Sequence, residues 1–390
     1  MPNQINPRIA GMKCIQCDAI YPVGDYFEGC PECSSAGAPA SVAPHYAEWP
    51  TTLDYETLSD WLSYPLSDLG EGKTSLSSLP CLAASLGIAS LHTKNEFANP
   101  TGSHKDRMGS FVAQRAVALG IKTVAIASSG NAGVSMAAYS ARGGLECVVV
   151  STPDISPSWR RAIEMHGARI IATETDDDRW SLIANHARKG NWYPATNYTI
   201  PPVGSNHFGV DGYRAVAFEL HLQFGQKAPT DIVVPTARGD LLWGIAKGFE
   251  DLSEAGLIHS KPKVHAVEPF PRIGAALSGQ GLVGDFPDAT TMGSIGGNTV
   301  TQQTLRALEM ADGHAVAVQD AEVAADQATL AREGLYLELS SVATLTGLRN
   351  LVAEKKIEPD ARVILIATSH GYKEVARYHD QLSVTDWPTR

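Results

Sequence analysis

The sequence predicts an α/β protein: two three-layer domains with mostly parallel sheets, preceded by a small cysteine ribbon. Three observations lead there. From Ser90 onward, short continuous apolar runs such as Asp231-Ile-Val-Val-Pro235 and Val363-Ile-Leu-Ile-Ala367 alternate with helical patterns. Strands that are apolar on both faces belong to parallel sheets covered on both sides. The 390 residues are too many for one simple core. Near the start, four cysteines fall into the pairs Cys14-x2-Cys17 and Cys30-x2-Cys33.

The elements follow in order. Residues 1–36 form the ribbon, with Tyr21, Tyr26 and Phe27 as its small core. Cys14, Cys17, Cys30 and Cys33 suit a tetrahedral thiolate site, a zinc ribbon. The zinc is structural, because four cysteines leave no position for water; disulfides or free thiols are the alternatives, and a reducing compartment disfavours the former. Cys81 and Cys147 sit in apolar surroundings and read as buried structural residues. Residues 34–44, rich in Ser, Ala and Pro, read as a flexible linker. A short helix is expected at 55–63, before Pro65, and a turn at 71–76 leads into a short strand. Strands are expected at 89–94, 123–127, 147–151, 170–173, 231–235, 264–268, 315–318 and 363–367. Helices are expected at 108–119, 133–142, 159–166, 211–224 and 242–254.

Composition narrows the function. Apolar content of 44% and charged content of 19% are ordinary for a folded soluble protein. A net charge of −11 argues against general affinity for nucleic acid or anionic membrane. The ribbon itself sets Arg8 and Lys13 against Asp18, Asp25, Glu28 and Glu32, which disfavours a noncatalytic zinc-ribbon adaptor that binds nucleic acid. Apolar runs are too short to span a bilayer, and residues 1–8 lack a signal-peptide core, so a cytoplasmic enzyme is expected. The sequence beyond Lys373 is short, and no appended regulatory domain is expected there.

In parallel sheets, ligands bind beyond the carboxyl ends of strands. Four polar stretches fall at such ends. Asn99-Pro-Thr-Gly-Ser-His-Lys-Asp-Arg107 places Lys105 at a strand-to-helix junction. Helix starts favour anions and disfavour a cation, so a neutral or imine lysine fits there better than a bland one. Lys105 is therefore the candidate for a Schiff base with pyridoxal phosphate. Ser128-Ser-Gly-Asn-Ala-Gly133 is a run of small residues entering a helix, able to form a nest for an anion; a simple tight connection is the plain alternative. Thr236-Ala-Arg-Gly-Asp240 is the natural phosphate seat, with Arg238 either forking onto the phosphate or paired with Asp240 on the surface. Thr368-Ser369 ends a strand, and a hydroxyl there suits a pyridine nitrogen or caps a helix beginning near Glu374.

With Asp211-Gly-Tyr-Arg-Ala-Val-Ala-Phe-Glu219, Glu338-Leu-Ser-Ser-Val342 and Glu71-Gly-Lys-Thr-Ser-Leu76, these motifs resemble the fold-type-II pyridoxal-phosphate enzymes, and within them the threonine synthases. The resemblance covers most of residues 70–375. It implies that residues 37–107 and 206–390 form a large cofactor-binding domain and 108–205 a small domain. Lys105 would carry the cofactor and shuttle protons, and Asn131 would bond its 3′-oxygen. Thr236, Ala237, Arg238, Gly239 and Asp240 would hold its phosphate, and Thr368 its ring nitrogen. Ser128, Ser129, Gly130 and Asn131 would take the substrate carboxylate, with Glu338 and Asn197 nearby. The implied reaction converts O-phosphohomoserine and water to threonine and phosphate in a homodimer. Serine or threonine dehydration and β-replacement of the cysteate synthase type are the alternatives on this scaffold. Three positions depart from the family pattern: Arg238 in the phosphate loop, Ser75 where proline is usual, and Trp159-Arg160 where many relatives have Gly-Lys. Arg160 reads as a surface helix residue, with binding of an anionic substrate as the alternative.

Overall fold

A computed structural model describes residues 4–284, 286 and 290–374. The tail of the expected large domain, 375–390, with any helix following Glu374, lies outside the described residues. Thirteen strands run in chain order: β1 (Ile9–Cys14), β2 (Ile20–Tyr21), β3 (Val42–Tyr46), β4 (Leu76–Ser78), β5 (Ser90–Lys94), β6 (Thr123–Ala127), β7 (Glu146–Ser151), β8 (Arg169–Ala172), β9 (Tyr193–Pro194), β10 (Asp231–Pro235), β11 (Lys263–Glu268), β12 (Ala315–Ala317) and β13 (Arg362–Ile366).

They build three sheets. The largest has the order β12-β11-β10-β13-β5-β4, and the second β8-β7-β6-β9. The second sheet is wholly parallel, and the first is parallel except for β4, which pairs antiparallel with β5. β10 sits at the centre and every one of its residues is buried, as a run without polar alternation requires. Helices cover both sheets. Lys105–Ala118 packs against Asn131–Gly143, and Leu339–Ala353 packs against β10–β13. The last of these was not anticipated: it is buried nearly all round, so it shows no polar face for periodicity to reveal.

The third sheet, β2-β1-β3, is the cysteine ribbon. Here the expectation of a linker at 34–44 is corrected. Pro31–Ser35 is a short helix, and Val42 and its neighbours pair with β1, Val42 opposite Cys14. The ribbon is also docked: Asp25 accepts from Arg115 and from the Tyr193 hydroxyl, and Phe27 meets Tyr193 edge-on. The helix expected at 55–63 is a single 3-10 turn, Leu58–Trp61. The Asp54 carboxylate takes the N–H groups of Glu56 and Thr57, a cap of the helical kind that only this short turn follows. The expected 211–224 helix begins earlier, at His207, where Asn206 caps two backbone N–H groups, and passes through a 3-10 turn at Gly212–Arg214. Cys147 is buried as expected, and burial pushes its thiol up to about 12. Cys81 is exposed instead, on the first turn of the helix Pro80–Leu86.

Candidate active site

A cavity of about 590 Å³ opens where the carboxyl ends of both parallel sheets converge. Its walls come from the segments after β5, β6, β7, β10 and β13, because parallel strands deliver all their following loops to one edge.

Lys105 starts the helix Lys105–Ala118 and lines this cavity. Burial pushes its amine below the usual lysine range; Asp240 and Glu338 oppose the shift and Arg238 adds to it. The preceding loop is pinned on both sides. The His104 N–H donates to the Thr368 carbonyl at 2.9 Å, and the Ser369 hydroxyl donates to the Gly102 carbonyl at 3.0 Å. Gly102 has φ +80°, and a Cβ there would lie 2.7 Å from a His370 ring nitrogen, so the turn beside the lysine needs glycine twice over. The Tyr213 ring lies 5.8 Å from the Lys105 amine.

Behind the lysine helix lies a fully buried ion cluster. Arg107 forks onto Glu96 at 2.6 and 2.7 Å and onto Glu219 at 2.8 and 2.9 Å. Lys94 donates to Glu219 at 2.7 Å. Burial works against the Glu219 charge, but Arg107 and Lys94 overcome it and hold the carboxyl below its usual range. The cluster ties β5, the lysine helix and the helix Ala215–Phe224 into one unit.

Ser128, Ser129, Gly130 and Asn131 all line the cavity at the start of the helix Asn131–Gly143. The Ser128 hydroxyl accepts from the N–H groups of Gly130 and Gly133. The Asn131 amide is oriented from both ends: Lys373 donates to its oxygen at 2.9 Å, and its nitrogen donates to Glu338 at 3.0 Å. Glu338 also lines the cavity, and burial raises its carboxyl while bonds from Asn131 and Thr368 oppose the rise. Thr368 lines the cavity too, its hydroxyl 2.7 Å from that of Ser341.

Thr236, Ala237, Arg238, Gly239 and Asp240 line the cavity in front of the helix Asp240–Glu254. Gly239 takes φ +81°, and a Cβ there would collide with the Thr304 hydroxyl. Thr301 and Thr304 both donate to the Arg238 carbonyl, at 2.7 and 2.9 Å, while Arg272 donates to the Thr236 carbonyl at 3.2 Å. The carbonyls are thereby drawn away from the cavity. The Asp240 carboxylate accepts from the Ser205 hydroxyl at 2.6 Å and from the Gln303 amide. The Arg238 guanidinium lies 5.4 Å from the centre of the Trp180 ring.

One expected neighbour stands elsewhere. Asn197 does not line the cavity. Its amide oxygen accepts from Val203 N–H and the Thr199 hydroxyl, and its nitrogen donates to the Thr199 carbonyl, so it shapes its own loop. Arg160 is exposed and pairs with Glu164 at 2.9 Å, the surface role expected of it. Its neighbour Trp159 is the residue that faces the cavity. Arg179 is a functional candidate missed in the sequence. It lines the cavity and donates to the Ser129 hydroxyl at 3.1 Å. Thr175 and Asp178 form a capping box, the readable signal that starts a helix at Asp176 and puts Arg179 in its first turn. Arg272 and Lys373 carried no comparable local signal.

A planar aldehyde cofactor with a phosphate tail needs an amine whose charge burial disfavours, a helix start for the phosphate, and polar partners for its ring oxygen and nitrogen. The buried amine of Lys105, the loop 236–240, Asn131 and Thr368 provide these around one cavity, so the residues fit the group. Residues 67–369 match the family model described as pyridoxal-phosphate dependent enzyme. The chain belongs to this family. Among relatives of this pyridoxal-phosphate enzyme, the threonine synthase of Methanocaldococcus jannaschii is 31% identical over 385 residues, covering 93% of this chain and 92% of its own. The threonine synthase of Methanosarcina acetivorans is 29% identical over 381 residues, with the same coverage of each. The processed threonine deaminase isoform 2 of Solanum lycopersicum superposes with a TM-score of 0.68 at 18% identity, over 84% of this chain and 88% of that one. The last likeness shows the fold, that of the fold-type-II enzymes.

At the ribbon, the sulfur atoms of Cys14, Cys17, Cys30 and Cys33 all lie within 4.8 Å of one another. Cys14–Cys33 and Cys17–Cys30 are each 3.7 Å apart. Zinc–thiolate bonds of about 2.3 Å in a tetrahedron put sulfurs roughly 3.8 Å apart, so the four thiols fit a zinc ion. The N–H groups of Gln16 and Cys17 point at the Cys14 sulfur, at 3.3 and 3.4 Å, as suits a thiolate.

Proposed function

We propose that this pyridoxal-phosphate-dependent lyase is a threonine synthase, converting O-phosphohomoserine and water to threonine and phosphate. The observation that carries the reading is the buried Lys105 amine, pushed below the usual lysine range and lining one cavity with a phosphate-type loop and a carboxylate-type loop. Similarity to threonine synthases along nearly the whole chain supports the substrate.

When bound, pyridoxal phosphate supplies an electron sink for the carbanion left by removal of the substrate's α-proton. The chain does the rest. Loop 236–240 would hold the phosphate, with the dipole of the helix Asp240–Glu254 behind it. Thr368 would offer a hydroxyl to the ring nitrogen. Asn131, its amide fixed by Lys373 and Glu338, would meet the ring oxygen. Ser128, Ser129 and Gly130 would take the substrate carboxylate. The Lys105 amine would remove the substrate's α-proton and return a proton later. In this reading residues 37–107 and 206–390 are the large domain and 108–205 the small one, and the enzyme works as a cytoplasmic homodimer.

The test is a visible absorbance band in protein purified with pyridoxal phosphate, lost in Lys105→Ala along with at least about a thousandfold of the turnover. A colourless wild type overturns the cofactor site. Offered O-phosphohomoserine, threonine, serine and O-phosphoserine in turn, the enzyme is expected to release phosphate and threonine from the first. Keto acid from threonine or serine, with O-phosphohomoserine untouched, would replace threonine synthase with a dehydratase. For the ribbon we propose structural zinc, expected at about one per chain by metal analysis; four freely titrating thiols with no metal would refute it.

A further inference from the structure

We propose that the ribbon is coupled to the cofactor cavity: its metal closes the loop between the two cysteine pairs, and that loop braces, from behind, three elements whose other ends line the cavity. The inference rests on the reading of the cavity as a cofactor site and of the four thiols as a zinc site.

The braced elements come first. Asp25 takes Arg115 at two points, Nε and Nη2 each at 3.2 Å, and the Tyr193 hydroxyl at 3.0 Å. Arg115 lies in the last turn of the helix that Lys105 begins. Tyr193 starts β9, and Thr196, just past the end of that strand, lines the cavity. Phe27 meets the Tyr193 ring edge-on at 5.1 Å. Glu28 accepts from Arg188 at 2.7 Å. Arg188 ends the helix Asp176–Arg188, whose first turn puts Arg179 on the cavity. Each element is stiff along its length, so a shift at the ribbon end is felt at the cavity end. The contacts are unequal. The Arg188–Glu28 pair is exposed on both sides and adds little. Asp25, its side chain only 16% exposed and partnered by two residues, is the principal brace.

The second argument is what holds the bracing loop. Asp25, Phe27 and Glu28 all lie between Cys17 and Cys30, and residues 22–29 belong to no strand or helix. Their path is set at its ends, by the pairing of Ile20 and Tyr21 with β1, by the Cys30 N–H on the Ala40 carbonyl, and by the four sulfurs gathered within 4.8 Å. Without a metal nothing offsets that crowding of thiolates or the entropy lost in closing the loop. The rest of the ribbon is attached by other means. β3 pairs along β1, Asn6 donates to the carbonyls of Asp60 and Leu62 at 2.8 and 2.9 Å, and the Tyr46 hydroxyl donates to Asp211 at 2.9 Å. These contacts lie outside residues 17–30. Loss of the metal therefore frees the brace while the ribbon stays attached. Coupling of this kind is reciprocal: a cofactor that fixes the Lys105 helix tightens the metal by the same factor.

The experiment uses the full-length chain and titrates pyridoxal phosphate by its visible band, with zinc-loaded protein and with protein stripped by a chelator. Stripping is expected to weaken the cofactor about 5- to 50-fold. Asp25→Asn keeps all four thiols but not the charge that holds Arg115. Loaded with zinc it should weaken the cofactor about 3- to 10-fold, and stripping it should add less than about threefold. Tyr46→Phe, which loosens the ribbon elsewhere, should cost stability and change cofactor affinity less than about twofold. Equal cofactor affinity with and without zinc overturns the coupling alone, as does a Tyr46→Phe that weakens the cofactor as much as Asp25→Asn. Should the stripped chain unfold, the zinc-loaded variants decide: a cofactor bound by Asp25→Asn as tightly as by wild type overturns the inference. A zinc-loaded wild type without the visible band overturns the cofactor site, and a wild type that binds no zinc overturns the ribbon site; either result takes the inference with it.

Discussion

Asn131 on the cavity floor and Arg179 on its outer wall are both polar side chains at the start of a helix, yet their surroundings differ sharply. Asn131 is buried, its oxygen held by Lys373 and its nitrogen by Glu338, and Glu338 is itself bonded to Thr368, which meets Ser341. Arg179 is only partly buried, next to the exposed Asp177 and Asp178. The floor is a closed polar network and accepts one geometry; the wall carries its charge nearer to solvent. A cofactor that is identical in every turnover suits the first, and a substrate that arrives and leaves suits the second.

The sharpest way to break this contrast is to cut the support beneath the floor. Arg107 holds two fully buried carboxylates and touches no cavity atom. Arg107→Met should destabilise the protein by about 3–5 kcal/mol, because Glu96 keeps its burial and loses its cation, and Glu219 is left with Lys94 alone. Denaturant midpoints of purified wild type and variant measure the effect. If the loss is under about 1 kcal/mol, the cluster is not what rigidifies the lysine helix, and the floor is less fixed than its bonds suggest. Glu96→Gln in the Arg107→Met background should recover part of the loss, since it removes the stranded charge and leaves the Lys94–Glu219 pair in place.

The same contrast explains what was legible in the sequence. Lys105, the 128–131 loop, the 236–240 loop and Thr368 could be read because each follows a strand and the first three open a helix, so local pattern alone delivers them to one edge of a sheet. Strand order could not be read: β13 inserts between β10 and β5, a pairing set by contacts more than a hundred residues apart in sequence. Asn197 was misplaced because a side chain that bonds its own loop looks, in sequence, like one that bonds a ligand. Cys81 was misjudged because apolar neighbours say nothing about which side of a helix faces the core. Arg179 escaped because Asp-Asp-Asp-Arg reads as a solvated charge run until the Thr175 cap turns it into the beginning of a helix.

Arg160 supplies the control at the small end of the scale. Like Arg179 it sits early in a helix beside a tryptophan, one that lines the cavity, but 64% of its side chain is exposed and its partner Glu164 lies one turn along the same helix. Such an exposed pair is screened by salt and adds little to stability. Arg160→Gln is therefore expected to leave both the denaturant midpoint and the release of phosphate from O-phosphohomoserine unchanged. Chemical denaturation and a phosphate-release assay check the two points. Loss of phosphate release in Arg160→Gln would mean that the outer rim of the cavity also holds the substrate. The two arginines differ little in sequence context; what separates them is that one points along its helix and the other across a cavity at the loop that receives the substrate.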